Sequence, residues 1–142
     1  MPAITLDEAV ATLASVITPL KDFAEAAEAL GQGVDYYIVQ GTLLDSYRHS
    51  PHGTRRTMLL RPPGLTGDPF QDATLAAMAE TLAVADGFPV PDWTAEEARS
   101  MPPGQEYYTF DTASGRELLR QHASEPFARR GLYVTPGFMS RA

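Results

Sequence analysis

Apolar residues recur at three- and four-residue intervals through most of this chain, and the intervals break at proline and glycine, so the pattern predicts short helices divided by tight turns. The clearest run is Gly67 to Trp93, GDPFQDATLAAMAETLAVADGFPVPDW. Asp68 is placed to cap a helix, Pro69 suits its first turn, and Gln71 completes a capping box by reaching back. Gly87 supplies a left-handed stop. Leu75, Met78, Ala79, Leu82 and Ala85 fall on one stripe for burial, which turns Gln71, Glu80 and Asp86 toward water. Beyond the stop, Pro89 and Pro91 force an extended run that lets Phe88, Val90 and Trp93 fold back on the helix, with Trp93 read as core.

The same signals divide the remainder. A capping box from Thr5 to Glu8 opens a helix carrying Leu6, Val10, Leu13 and Ile17 on one face, and Pro19 ends it. A second helix starts either at Thr18 or at Asp22 with Glu25, and runs through Phe23, Ala27 and Leu30 to Gly31, so that residues 1–31 form a helical hairpin. In VDYYIVQGTLLDSY the period fits a helix better than a strand, and Gly41 within it implies close approach of another element. HSPHG is turn chemistry, TRRTMLLR a short helix closed by Pro62 and Pro63, and Thr94 to Glu97 a third capping box ending near Met101. PPGQEYYTFDTASG reads as irregular with Tyr107, Tyr108 and Phe110 tucked inward. Thr112 or Ser114 caps a helix through Leu118 and Leu119, Ser124 caps EPFARR, and Leu132 to Val134 are extended. The fold class is mainly α: one compact domain over 1–142, with several short helices around one longer central helix and Pro/Gly-rich connections.

Charge sharpens this picture more than composition does. The total of −7 hides alternating blocks: −6 over residues 1–47, +4 over 48–61, −8 over 62–115 and +3 over 116–142. Ten of the eleven basic residues are arginine, suited to forked contacts with carboxylates, and the simplest use of such blocks is to pair with one another inside the fold. The overall acidity disfavours nonspecific binding to nucleic acid. There are no cysteines, which excludes disulfides and thiolate chemistry and suits a reducing compartment. The first residues, MPAITLDEAV, lack the pattern of a signal peptide, and no run approaches the length of a membrane span, so a cytoplasmic protein with no membrane partner is expected.

Candidate chemistry is sparse. His49, His52 and His122 lack the spacing of a known metal centre, no nucleophile elbow accompanies the serines, and Gly31 with Gly33 follows a helix where a phosphate loop would follow a strand. Carboxylates at helix starts, such as Glu96 and Glu97, are explained by capping and the helix dipole. No catalytic residue, metal ligand or cofactor is assigned. The side chains that stand out are Arg48, Arg55 and Arg56, beside Tyr47 in a proline- and glycine-bounded segment, and Arg129 with Arg130 after Phe127. These five are the candidate partner-binding residues, with pairing to the chain's own acidic blocks as the alternative.

Four pieces, LLDSYRHSPHGTRRTMLLRPP, GLTGDPFQDATLAAMAETLA, GFPVPDWT and ASEPFARRGLYV, together spanning about residues 43–134, resemble a family of small bacterial proteins of largely unknown function. The family looks like one with an LTGDP run opening a long alanine-rich helix, a P-x-W exit and a late F-x-R-R-G segment. MPPGQEYYTF, over residues 101–110, departs from its pattern, where a tryptophan and phenylalanine pair is expected. The resemblance implies an accessory protein, the neutralising half of a toxin–antitoxin pair. The leading expectation is therefore a noncatalytic module that binds another protein. A helix-turn-helix DNA-binding regulator is the alternative, a small metal-dependent or hydrolytic enzyme comes third, and homodimerisation is left open.

Overall fold

A computed structural model describes residues 19–139. The expected helix from Thr5 to Ile17 lies outside the described residues. Within them the protein is mainly helical, with six α-helices: α1 (Phe23–Gly31), α2 (Tyr36–Arg48), α3 (His52–Leu60), α4 (Pro69–Asp86), α5 (Ala113–Gln121) and α6 (Glu125–Ala128). Two 3-10 turns, Asp92–Ala95 and Glu97–Arg99, follow α4. Two-residue strands β1 (Tyr107–Tyr108) and β2 (Leu132–Tyr133) pair in parallel, Tyr107 opposite Leu132 and Tyr108 opposite Tyr133. No helix among the described residues is long and apolar enough to cross a membrane.

The helix α4 is the hub, contacting α3, α6, β2 and both 3-10 turns, while α1 packs on α2. Its start is set locally: the Asp68 carboxylate accepts the Phe70 and Gln71 N–H groups at 2.9 and 3.4 Å, and Gly87 closes it at φ 74°. The reciprocal half of the expected capping box is different. Thr66 accepts the Asp68 N–H at 3.2 Å, and it is Asp72 that reaches back, to the Thr66 N–H at 2.8 Å.

The burial of α4 departs from the expected stripe. Every residue from Asp72 to Glu80 is buried, whereas Ala85 is exposed and Leu82 only half-buried. Alanines on all sides leave room for neighbours to close in from every direction, so this helix has no wet face from Asp72 to Glu80. The large core side chains come from around it: Phe23, Leu43, Leu44, Tyr47, Leu59, Leu132 and Trp93, whose indole N–H donates to the Leu59 carbonyl at 2.8 Å.

The segment from Val34 to Tyr47 is helical from Tyr36 onward, capped by Asp35 through the Tyr37 and Ile38 N–H groups, and Gly41 is buried. The expected turn at residues 49–53 is shorter, because α3 already starts at His52 behind Pro51. Thr94 does not cap a helix: its hydroxyl donates to the Pro91 carbonyl at 2.7 Å within a 3-10 turn. Phe110 is exposed, not inward, while Tyr108 is buried. Thr112 caps α5 through the Gly115 N–H at 3.0 Å, and a Cβ on Gly115 would stand 2.8 Å from the Phe110 Cβ, so that close approach needs glycine.

Asp22 links the cap of α1 to the end of α3. It accepts the Glu25 N–H at 2.8 Å and a fork from Arg61, Nε to Oδ2 and Nη2 to Oδ1, both at 3.0 Å. Burial pushes its carboxyl upward, but the Arg61 fork and the Glu25 N–H outweigh burial and hold its pKa below the ordinary 3.8. A depressed folded-state value stabilises above the unfolded value, and that contribution is lost as pH falls through the folded one. The stability gap between wild type and Arg61→Ala, read by urea unfolding, is therefore full at pH well above 3.8 and closes at lower pH. Enclosure of α4 gives a second expectation: Ala76→Leu, at a fully buried site, costs about 1–3 kcal/mol by overpacking, while Val84→Leu on the exposed last turn leaves the urea midpoint unchanged.

Candidate partner-binding surface

The five arginines separate into those the fold uses and those it leaves outward. Arg55 closes the C-terminal end of α2. Its Nε donates to the Tyr47 and Ser50 carbonyls at 3.0 Å each, and its Nη2 to the Arg48 carbonyl at 2.7 Å. A cation over the last carbonyls of a helix meets the negative end of its dipole. The same guanidinium lies 3.5 Å from Asp86 and 5.4 Å from the Tyr47 ring centroid, and Tyr47 donates its hydroxyl to Asp86 at 2.5 Å. Burial first, then the Asp86 carboxylate, pushes the Tyr47 hydroxyl well above the ordinary phenol value.

Arg130 is internal. It is 4% exposed, with Nη1 at 2.9 Å from Glu80 and 2.7 Å from the Pro126 carbonyl, and Nη2 at 2.8 Å from the Thr94 carbonyl. Burial pulls its pKa down and Glu80 pulls it back up. Arg129 takes the other oxygen of Glu80 at 2.5 Å while half its side chain stays in solvent. Glu80, which the helical period turns toward water, is thus a buried carboxylate shared by two arginines, at the floor of a small cleft of about 370 Å³ beside Asp92. This triad fastens α6 and the first 3-10 turn to α4.

Arg48 and Arg56 remain on the surface. Arg48 is exposed and donates to the Met139 carbonyl. Arg56 is exposed on α3 and makes no ion pair or side-chain hydrogen bond among the described residues. One turn on, Leu60 is 54% exposed.

Two features escape sequence reasoning. Arg99 is buried, with its guanidinium 5.3 Å from the Trp93 ring centroid and Nη2 donating to the Pro63 carbonyl at 2.5 Å. Its place behind Trp93 follows from the 3-10 turns and has no local signal. The second is an apolar groove of about 980 Å³ between α2, α3 and residues 19–21, walled by Leu20, Ile38 and Met58. Tyr37 and Ile38 were the available signal, since they are surplus to the buried face formed by Val39, Leu43, Leu44 and Tyr47.

The histidines do not converge. His49 Nδ1 lies 2.8 Å from the Asp45 carbonyl, and the His52 ring meets that of Phe88 at a tilt of 44° with centroids 4.4 Å apart and its Nε2 3.1 Å from the Asp86 carbonyl. Among the described residues no group of three or more histidines and carboxylates is placed to hold a metal ion. No family model, curated protein or solved structure matches the chain, so the site rests on its own residues.

Removing one partner of a buried ion pair is costly, and in Arg130→Met the buried Glu80 keeps only the half-exposed Arg129. Arg130→Met is expected to cost about 2–4 kcal/mol in urea unfolding, against less than about 0.5 kcal/mol for Arg56→Met.

Proposed function

We propose that this chain is a noncatalytic protein-interaction module, an antitoxin-like neutraliser or accessory subunit, whose partner docks on the outward face of α3. The observation that carries the reading is Arg56, an exposed guanidinium without a partner among the described residues, set one helical turn from the exposed Leu60. An arginine beside an apolar anchor is the composition of an interface hot spot, and its planar fork suits carboxylates. Arg48, exposed where α2 ends, extends the cationic patch. The occupant this chemistry fits is a protein surface with an apolar patch rimmed by Asp and Glu. The resemblance of residues 43–134 to small bacterial accessory proteins supports the neutraliser role.

One feature favours the DNA-binding alternative: α2 and α3 are joined by residues 49–51 alone, with Arg48 and Arg56 flanking the turn. The net charge of −7 opposes it, because affinity for duplex DNA comes largely from cations on phosphates.

The test is capture of a partner from the native host by the tagged full chain, followed by affinity measurement on variants. Arg56→Glu with Leu60→Asp is expected to weaken a captured protein's affinity by about tenfold or more, about 1.4 kcal/mol, and Val84→Asp on the last turn of α4 to leave it unchanged. Equal affinity in both variants contradicts the α3 surface. Binding to duplex DNA that strengthens as salt is lowered, with no protein captured, replaces the reading with the regulatory one.

A further inference from the structure

The cleft of about 370 Å³ beside the Glu80 triad is walled by Glu80 on α4, by residues between Val90 and Ser100, and by Arg129 with Arg130 after α6. Two of its four charged side chains are taken up inside the fold. Glu80 gives an oxygen to each arginine, and Arg130, 4% exposed, also holds the Pro126 and Thr94 carbonyls. Arg129 and Asp92 are left exposed. We propose that the cleft binds a small zwitterion of the free α-amino acid class, its ammonium on Asp92 and its carboxylate on Arg129, with the Ser100 hydroxyl as a further donor.

The two exposed charges argue for this ligand first. Asp92 has neither an ion pair nor a side-chain hydrogen bond among the described residues, and the 3-10 turn it opens has no side-chain cap. Arg129 lines the same cleft and does not pair with it. The hydrogen bond from Arg129 to Glu80 uses Nη2 alone, and half of the side chain is in solvent. A guanidinium carries five N–H donors, so Arg129 keeps donors for a second carboxylate. An ammonium on Asp92 and a carboxylate on Arg129 complete what the fold leaves open at both.

Charge balance selects the class. With Glu80 set against Arg130, the cleft keeps one cation and one anion. A ligand bearing only negative charge gains Arg129 and is repelled by Asp92, and one bearing only positive charge meets the reverse. A molecule bearing both signs is attracted at each end. Size agrees, because the volume lies at the lower end of the range of small-molecule sites. Val90, 41% exposed, and Pro91 supply an apolar wall for an aliphatic side chain. A ligand held at both ends ties the first 3-10 turn to the end of α6, across the joint that the triad closes.

Titration of the full chain, followed by NMR, tests this with probes of one shape: valine, isovalerate, which lacks the ammonium, and isobutylamine, which lacks the carboxylate. Valine is expected to bind about tenfold tighter or more than either analogue, because each analogue forfeits one charge-assisted contact. Asp92→Asn is expected to bring valine down to the affinity of isovalerate without weakening isovalerate itself, which shows that the cleft is intact in the variant. Arg129→Gln is expected to bring valine down to the affinity of isobutylamine and to leave isobutylamine unchanged. Isovalerate binding as tightly as valine, or valine binding Asp92→Asn as it binds wild type, overturns the proposal. So does the absence of saturable binding by both valine and glycine at millimolar concentration. None of these residues belongs to α3 and no protein partner is needed, so this inference and the α3 surface fail separately.

Discussion

The structure depends on one carboxylate. The helix α4 is enclosed on every side from Asp72 to Glu80, and alanine makes that enclosure sterically easy. Enclosure also takes Glu80 out of water, and a buried charge without partners is costly. Arg129 and Arg130, each on one oxygen of Glu80, are what make the arrangement tenable. Their position fixes α6 against α4, and through α6 the start of β2, which in turn pairs with β1.

The same logic runs through the other cationic side chains. Arg61 forks onto Asp22 where α1 begins, Arg55 closes the end of α2 and reaches Asp86, and Arg99 lies under Trp93 with its Nη2 on the Pro63 carbonyl. Arginine is suited to the first two places because it satisfies several acceptors in a plane, and to the third because its guanidinium packs over the Trp93 ring. The alternating charge blocks of the sequence therefore meet largely inside the fold. Arg56 stands apart because α3 presents it outward with no ion-pair partner among the described residues, and that contrast gives it its place in the functional proposal.

Features governed by neighbours in sequence were legible beforehand. Asp68, Gly87, Asp22 and Thr112 act at helix ends as their residue types require, and the segment from Val34 to Tyr47, whose pattern admits both a strand and a helix, takes the favoured helix from Tyr36 onward. Features governed by distant residues were not. Periodicity turns Glu80 to water because it reports one stripe, and a helix of alanines has no single wet side. The β1–β2 ladder joins residues 107–108 to 132–133, too short to show alternation and too far apart for a turn to announce it. Of the five candidate arginines, the residue types pointed to ion pairing, but only the packing separates Arg130, which is internal, from Arg56, which is not. The groove along α2 needed the placement of α3 and of residues 19–21 before it existed at all.

The claim beneath all of this is that Glu80 and Arg130 act as a coupled, buried pair that holds the second half of the chain on α4. A double-mutant cycle with Glu80→Gln, Arg130→Met and the double variant, followed by urea unfolding, tests it most directly. A coupling energy of about 2 kcal/mol or more is the predicted result, since each single variant leaves a charge buried and the double variant leaves neither. Additive effects, with coupling below about 0.5 kcal/mol, would contradict the account and show that α6 is held by packing alone.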